Sequence, residues 1–576
     1  MRILFDSRQT QYKTPFGTLR TGECCVLQIR IPTEVGASGV CLMLEDSEHA
    51  VCAELPFSFA SRGEDGYELW RLEFTRQETG LHFYWFRIDK RDGGSFRLFR
   101  QGRDTNMEAG EKWQLSVIPA DFRVPDFAPG AVMYQIFPDR FARSGSSDLT
   151  GKLQPFWVHE SPDELPEYRP DAQGEVRNND FFGGNFAGIR EKLPYLQELG
   201  VGVLYLNPIF MAWSNHRYDT ADYRRPDPML GTEEDFRALC DAAHARGMRV
   251  ILDGVFSHTG SNSVYFDAKH VFGHGAASDP NSPYRRWYRF HHYPDDYEAW
   301  WGIRTLPCVE ELDETYLHYI IEDEDSVIAH WLRLGADGFR LDVVDELPDE
   351  FVRRLRRRMR QIDPQSLLLG EVWEDASNKR AYGVSRRYFV DGELDSVMNY
   401  PWRNAIVAFL TDADDGTALG ESLMTLAENY PPEVLSCVMN HLGTHDTPRI
   451  LTVLGEPFRG TKDERAHRRM TPVQRKTALM RLRMAAFLQF TLPGMPCIYY
   501  GDEAGMEGFE DPFCRACYPW GREDEELQAY YRMMTALRGS SEALRRGGLR
   551  VLAAGNGRIA FTRAFGDERL VVCVNH

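Results

Sequence analysis

Gly338-Phe-Arg-Leu-Asp342 and Leu367-Leu-Leu-Gly-Glu371 decide how this chain is read. Each is a short apolar run that closes on a carboxylate, and the interval between them has room for one helix. Uninterrupted apolar runs alternating with helical segments mark strands covered on both faces, the signature of a parallel sheet. Reading outward, Ala131-Val-Met-Tyr-Gln-Ile-Phe137, Val201-Gly-Val-Leu-Tyr-Leu206 and Arg249-Val-Ile-Leu-Asp-Gly-Val255 precede them, and Leu394–Val397, Val434–Met439 and Cys497–Tyr500 follow. Ile189, Leu193, Leu196 and Leu199 recur at helical spacing, with Gly200 as the expected cap. Thr232-Glu-Glu-Asp235 opens another helix whose apolar face is Phe236, Leu239, Cys240 and Ala243. Eight such strands with intervening helices predict an α/β fold, a (β/α)8 TIM barrel.

Residues 1–122 read differently. Val26-Leu-Gln-Ile-Arg-Ile31, Gly39–Leu44, Tyr67–Phe74 and Leu81–Ile88 are short alternating runs separated by turn residues, which predicts an N-terminal β-sandwich. Pro119–Pro129, with three prolines, reads as a linker. The barrel is expected over 123–540, interrupted at about 259–312 by an inserted subdomain rich in Tyr and Trp. Flat rings there suit both a small core and the C–H faces of sugars. From 541 onward the pattern is again strand-like, with too few strands for a complete sheet. The C-terminal β domain is therefore expected to be truncated.

The 576 residues carry 67 Lys and Arg against 86 Asp and Glu, a formal charge of −19. That balance argues against nucleic acid and anionic membrane as partners. No run of about 18 apolar residues exists, so no transmembrane helix is expected. The apolar run at the start is too short for a signal peptide. Eleven scattered Cys without a signal fit the cytoplasm. Cys514 and Cys517 form a lone CxxC, and no second pair of soft ligands accompanies it.

Barrel active sites lie at the C-terminal ends of the strands. There the chain places Asp253-Gly-Val-Phe-Ser-His258, Arg340-Leu-Asp342, Glu371-Val-Trp373 and Gly443-Thr-His-Asp-Thr-Pro-Arg449, with Asn207-Pro and His216-Arg-Tyr218 after the second strand. One carboxylate at a strand end is often a loop cap. Four strand ends carrying Asp, Glu or His in one barrel point to a shared cleft.

These segments, together with Tyr134-Gln-Ile-Phe-Pro-Asp-Arg-Phe141, Asp180-Phe-Phe-Gly-Gly-Asn185, Tyr218-Asp-Thr-Ala-Asp-Tyr223 and Tyr500-Gly-Asp-Glu-Ala-Gly505, resemble the α-amylase family of glycoside hydrolases. The nearest subgroup is that of neopullulanase, cyclomaltodextrinase and maltogenic amylase. The resemblance implies retaining cleavage of α-1,4 and also α-1,6 glucosidic bonds in maltooligosaccharides, cyclodextrins, pullulan or starch. It implies Asp342 as nucleophile, Glu371 as general acid/base and Asp446 as the third carboxylate. Tyr218, His258, Arg340, His445, Trp373 and Arg449 would bind substrate, and Asp253 would support the site. A transglycosylase is the alternative outcome of the same intermediate. A non-catalytic amylase-like ancillary protein would lack the carboxylates present here.

No cofactor is expected. The calcium positions of the family are altered, with Ser257 where Asn is usual and Asn185 where Asp is usual, so no metal site is assigned. The subgroup marker Met-Pro-Lys-Leu-Asn is here Leu306-Pro-Cys-Val-Glu310. In the resembled subgroup the N-terminal domain packs on a partner subunit, which implies a homodimer acting on an α-glucan.

Overall fold

The computed structural model describes residues 2–107 and 109–576. Eight parallel strands form the barrel: β1 (Met133–Ile136), β2 (Val203–Leu206), β3 (Arg249–Gly254), β4 (Gly338–Leu341), β5 (Leu367–Gly370), β6 (Ser396–Val397), β7 (Met439–His441) and β8 (Met495–Tyr499). They pair in order, and β8 returns to β1. A single parallel bridge between Met398 and Met439 closes the seam between β6 and β7. The strands are buried almost throughout because helices cover one face and barrel side chains fill the other. Met133, Val203, Tyr205, Ile251, Leu367, Leu369, Met439 and Cys497 share one core cluster.

Seven of the eight strands lie where the apolar runs place them. The seventh is displaced: Val434 and Leu435 belong to a helical turn, Pro432–Leu435, and the strand occupies Met439–His441. Proline at the first helical position favours that turn, and the apolar pattern alone did not separate it from a strand. The Thr232 capping box forms as expected, with Thr232 Oγ1 accepting from Asp235 N at 3.2 Å and Asp235 Oδ2 accepting from Thr232 N at 3.0 Å. Gly200 adopts φ +81°, the left-handed conformation that ends the preceding helix.

The chain divides into two compact units. The barrel unit comprises Val124–Trp373, Ser396–Leu419 and Ser436–His576. It includes the antiparallel sheet of Gly548–Gly555, Arg558–Phe565 and Glu568–Asn575. The inserted stretch carries little regular structure, chiefly a two-stranded ribbon of Phe290–His292 and Asp296–Tyr297. Most of its rings pack together: Trp287 and Tyr288 are buried, and Trp287 lies within 5.3 Å of the rings of Tyr265, Tyr284 and Tyr316.

The other unit comprises Met1–Arg123, Glu374–Asp395 and Gly420–Leu435. One sheet pairs Cys24–Pro32 with Tyr67–Thr75, and the other is built on Gly80–Lys90. Cys25, Leu27, Ile29 and Ile31 alternate into a core shared with Phe86 and Trp113. Arg8 ties the later segment to this sandwich by donating to Glu428 at 3.0 Å and to Glu421 at 2.6 Å.

Candidate active site

The register of the barrel brings the carboxylates together. Asp253 on β3 stands opposite Arg340 on β4, and Leu341 stands opposite Gly370 on β5. The next residues, Asp342 and Glu371, therefore leave the two strands side by side. Asp342 N donates to Gly254 O and Glu371 N to Leu341 O, each at 3.0 Å, so the ladder holds both backbones. Arg340 sits two residues before Asp342 and points to the same face. Its Nη1 donates to Asp253 Oδ1 at 2.6 Å and Asp342 Oδ1 at 2.9 Å, and its Nη2 donates to Glu371 Oε2.

Val343 follows with φ +34° and ψ 66°, a left-handed conformation that is rare for a β-branched residue. This turn aims its N–H at Glu371 Oε2, 2.9 Å away. The other oxygen of Glu371 accepts from Trp373 Nε1 at 2.9 Å. Trp373 is 45% exposed and stacks on Tyr400, with centroids 4.0 Å apart and planes at 10°. Backbone strain of this kind survives only where surrounding structure fixes it, and such strain clusters at functional sites.

A second chain of contacts reaches Asp446. Tyr218 and Tyr205 hydroxyls donate to Asp253 Oδ2 at 2.8 and 2.7 Å. Gln135 Nε2 donates to His445 Nδ1 at 2.9 Å, which places the imidazole proton on Nε2. That nitrogen lies 2.5 Å from Tyr218 Oη and 3.1 Å from Asp446 Oδ2. Burial, with Arg515 and Arg340 nearby, holds His445 well below its ordinary value, so it is neutral near pH 7. Arg515 Nη2 reaches Asp446 Oδ1 at 3.5 Å.

Burial also pushes the carboxyls upward. Asp342 is raised well above the carboxylate range by burial and by Glu371, Asp253 and Asp446, against the pull of Arg340. Asp253 is raised by burial against the same guanidinium. Asp446 is pushed up to about 7, by burial first and then by Glu371. Its side chain still keeps 32% exposure, so water reaches a carboxyl that protein surrounds on most sides. Such a group of carboxyls retains protons jointly.

The structure brings together Asp253, Arg340, Asp342, Glu371, Trp373, Tyr218, His445 and Asp446. His258 stands beside them, 1% exposed, with Nδ1 3.1 Å from Ser257 Oγ and Nε2 3.2 Å from Tyr218 O. Arg449, which the resemblance places among the substrate-binding residues, lies deeper. It is fully buried, donates to Tyr500 O and to Asp502 Oδ1 at 3.2 Å, and lies over the rings of Tyr499 and Tyr500. It braces the end of β8 from a buried position. Gln135, Tyr205, Tyr400 and Arg515 join the site without a motif to mark them. Gln135 and Tyr205 lie within barrel strands, where a polar tip among apolar residues is the available signal.

Trp300 and Trp301 carry the inserted stretch to the site. Their rings stack 4.2 Å apart, Trp300 lies 5.1 Å from the ring of His258, and Trp301 Nε1 donates to Glu346 Oε1 at 3.1 Å.

The residues at the family's calcium positions do not fit an ion. Asn185 Oδ1 accepts from Gly188 N at 2.8 Å and Ser144 N at 3.2 Å, and its Nδ2 donates to Ser144 O at 2.8 Å. The amide caps a helix, and its oxygen has no free direction. Ser257 Oγ is engaged with His258. None of the eleven cysteines is in a disulfide. Cys514 Sγ donates to His445 O at 3.3 Å, so Cys514 props the loop that carries His445 and Asp446.

A model described as the alpha-amylase catalytic domain matches residues 135–546. An amylopullulanase of Thermoanaerobacter thermohydrosulfuricus is 34% identical over 99% of this chain and 42% of its own length. A cyclomaltodextrinase of Geobacillus thermopakistaniensis (strain MAS1) is 33% identical over 79% of this chain and 70% of its own. Among solved structures, the type III pullulan hydrolase from Thermococcus kodakarensis is 26% identical with a TM-score of 0.67, covering 100% of this chain and 94% of that one. The chain spans less than half the length of the amylopullulanases it matches.

Proposed function

The chain belongs to the alpha-amylase family, and from that premise we propose that it hydrolyses α-glucosidic bonds with retention of anomeric configuration. The observation that supports this reading is the pair Asp342 and Glu371, set side by side by the β4–β5 register and joined through Arg340. Asp342 attacks the anomeric carbon and forms a glycosyl ester. Glu371 delivers a proton to the departing oxygen, then takes one from the water that cleaves the ester. Arg340 donates to Asp342 and Glu371 alike and favours Asp342 as a carboxylate against the burial that raises it. Asp446, oriented by His445, binds ring hydroxyls and favours the distorted sugar. Tyr218 offers its ring to the sugar at the cleavage point.

Relatives named cyclomaltodextrinase and pullulan hydrolase support cyclodextrin and pullulan as substrates; maltooligosaccharides and starch are included as shorter and longer α-glucans of the same linkage. The sandwich unit supports a homodimer, as in the resembled subgroup, and eleven cysteines outside any disulfide support a cytoplasmic location. The test is digestion of γ-cyclodextrin, pullulan and maltotriose, with proton NMR of the first product. Release of the α-anomer is expected, and a β-anomer rules out retention. Trapping with a fluorinated glucosyl fluoride should label Asp342. Light scattering should give twice the chain mass.

A further inference from the structure

The loops that follow β1, β7 and β8 border a cavity of about 470 Å³ that the reaction as described does not use. Its floor is apolar. Leu165, Phe509 and Phe513 line it and belong to a small core cluster with Tyr168 and Ala466. Its rim carries Arg465, Arg468 and Arg469. Arg465 Nη1 donates to Glu510 Oε1, but its Nε–H is buried and meets no acceptor among the described residues. Arg468 Nη2 reaches Gln474 Oε1 at 3.4 Å, and its guanidinium lies 5.0 Å from the ring of Phe458. Arg469 Nη1 donates to Arg468 O at 2.9 Å. Among the described residues, neither Arg468 nor Arg469 has a carboxylate partner.

The acids of the lining are mostly engaged. Glu507 accepts from Arg475 Nη1 and from Met470 N, each at 2.9 Å, and Asp163 pairs with Arg522. Glu164 accepts from Ser161 N at 2.7 Å, and Asp524 from Leu527 N at 3.0 Å. Glu523 alone has no partner among the described residues. Two guanidiniums against one carboxylate leave the rim positive. A buried N–H without an acceptor is costly, and an anionic oxygen would relieve that cost. Neighbouring guanidinium forks match the oxygens of a phosphate, and a flat apolar floor beneath them matches a ring. The volume falls in the range of small-molecule sites.

Phe513 also opens the turn Phe513–Arg515, whose next two residues hold the active site. Cys514 Sγ donates to His445 O at 3.3 Å, Arg515 Nε donates to the same oxygen at 2.9 Å, and Arg515 Nη2 reaches Asp446 Oδ1 at 3.5 Å. A ligand seated on Phe513 therefore bears on the loop of the third carboxylate. We propose that this cavity binds a phosphate monoester of a ring-bearing small molecule, and that its occupancy is felt at Asp446 through this turn. The binding site stands on its own geometry, and the link to Asp446 rests on the glucan reading above.

The test titrates the full chain calorimetrically with glucose 1-phosphate, adenosine 5′-monophosphate and inorganic phosphate, at about 0.15 M salt to screen weak surface pairing. The tighter of the two esters should bind with a Kd of about 1 mM or below. Which one it is tells a sugar ring from a base. Arg468→Ala with Arg469→Ala should weaken it at least about tenfold, with an unchanged melting temperature as the control for folding. No binding of either ester, or equal binding by the double variant, overturns the site. Inorganic phosphate bound as tightly as both esters overturns the ring contact. In the Asp342→Asn chain, the tighter ester should change the affinity for γ-cyclodextrin about fivefold or more. An unchanged affinity overturns the link to Asp446. A chain that binds and cuts no α-glucan overturns the glucan reading, while the ester titrations still decide the site.

Discussion

Arg340 and Asp253 face each other across the β3–β4 ladder, and the guanidinium of one lies 2.6 Å from the carboxylate of the other. Both are fully buried, and neither bonds to the sugar in the mechanism above. Asp253 accepts from Arg340, Tyr205 and Tyr218 at once, so it fixes the guanidinium beside Asp342 and the ring of Tyr218. Asp253→Asn should lower kcat by two or more orders of magnitude with a modest change in KM. It should also lower stability, since removing one partner of a buried pair costs about 3–5 kcal/mol. Steady-state kinetics and urea unfolding measure the two effects, and a variant with native kcat would remove Asp253 from the positioning role.

The two central carboxylates separate by leaving group. Asp342→Asn should cut turnover by about 10⁴ or more on every substrate. Glu371→Gln should do so on maltotriose but spare much of the rate on glucosyl fluoride, whose leaving group needs no proton. Equal losses on both substrates for Glu371→Gln would contradict acid catalysis.

Trp373 tests orientation without touching charge. Trp373→Phe keeps the stack on Tyr400 and deletes the 2.9 Å bond to Glu371 Oε1. A hydrogen bond to a charged group is worth about 1.5–3 kcal/mol, which corresponds to a fall in kcat of about 10- to 100-fold. The pH–rate profile should shift with it. A change confined to KM would make Trp373 a sugar contact alone.

The pH dependence of stability isolates Asp446. Its folded value of about 7 exceeds the unfolded value of about 4. Between those values the folded state holds a proton that the unfolded state has lost, so this residue's contribution turns unfavourable as pH rises from 4 to 7. Asp446→Asn removes that dependence. The melting temperature of the variant should gain on the native protein steadily from pH 4.5 to pH 7. Buried His258, lowered to about 4, acts in the opposite direction in both proteins and cancels from the difference. A constant difference across this range would refute the shift.

Calcium should be dispensable, because Asn185 spends its amide capping a helix and Ser257 is engaged with His258. Activity and melting temperature are expected to stay unchanged in chelator. A loss restored by calcium would disprove this.

Much of this arrangement was legible in the sequence because barrel strands are covered on both faces and read as apolar runs. The seventh strand escaped because Pro432-Glu-Val-Leu435 is as apolar as a strand yet begins with a helix-starting proline. The carboxylates were legible as strand endings. Their adjacency was not, since it depends on the register between β4 and β5, which no local pattern encodes. Arg449 shows the same limit. Three residues past Asp446 it resembles a cleft residue, but its side chain turns inward to Asp502. The left-handed Val343 carried no sequence signal, because nothing in a valine announces positive φ.

The single bridge between Met398 and Met439 contrasts with the multi-residue ladders elsewhere in the barrel. The bridge's backbone bond, Asn399 N to Met439 O at 2.9 Å, is supplemented by side chains: Asn399 Nδ2 donates to Asn440 Oδ1 at 2.9 Å and Ser396 Oγ to Cys437 O at 2.5 Å. A closed cylinder breathes where it is least stitched. Opening here would carry Asp446, which follows β7, away from Asp342 and Glu371 on the far side of the gap. On heating, the protein should therefore fall silent as a catalyst before its helices melt, and amides flanking the β6–β7 seam should exchange with solvent ahead of those in β1 to β5.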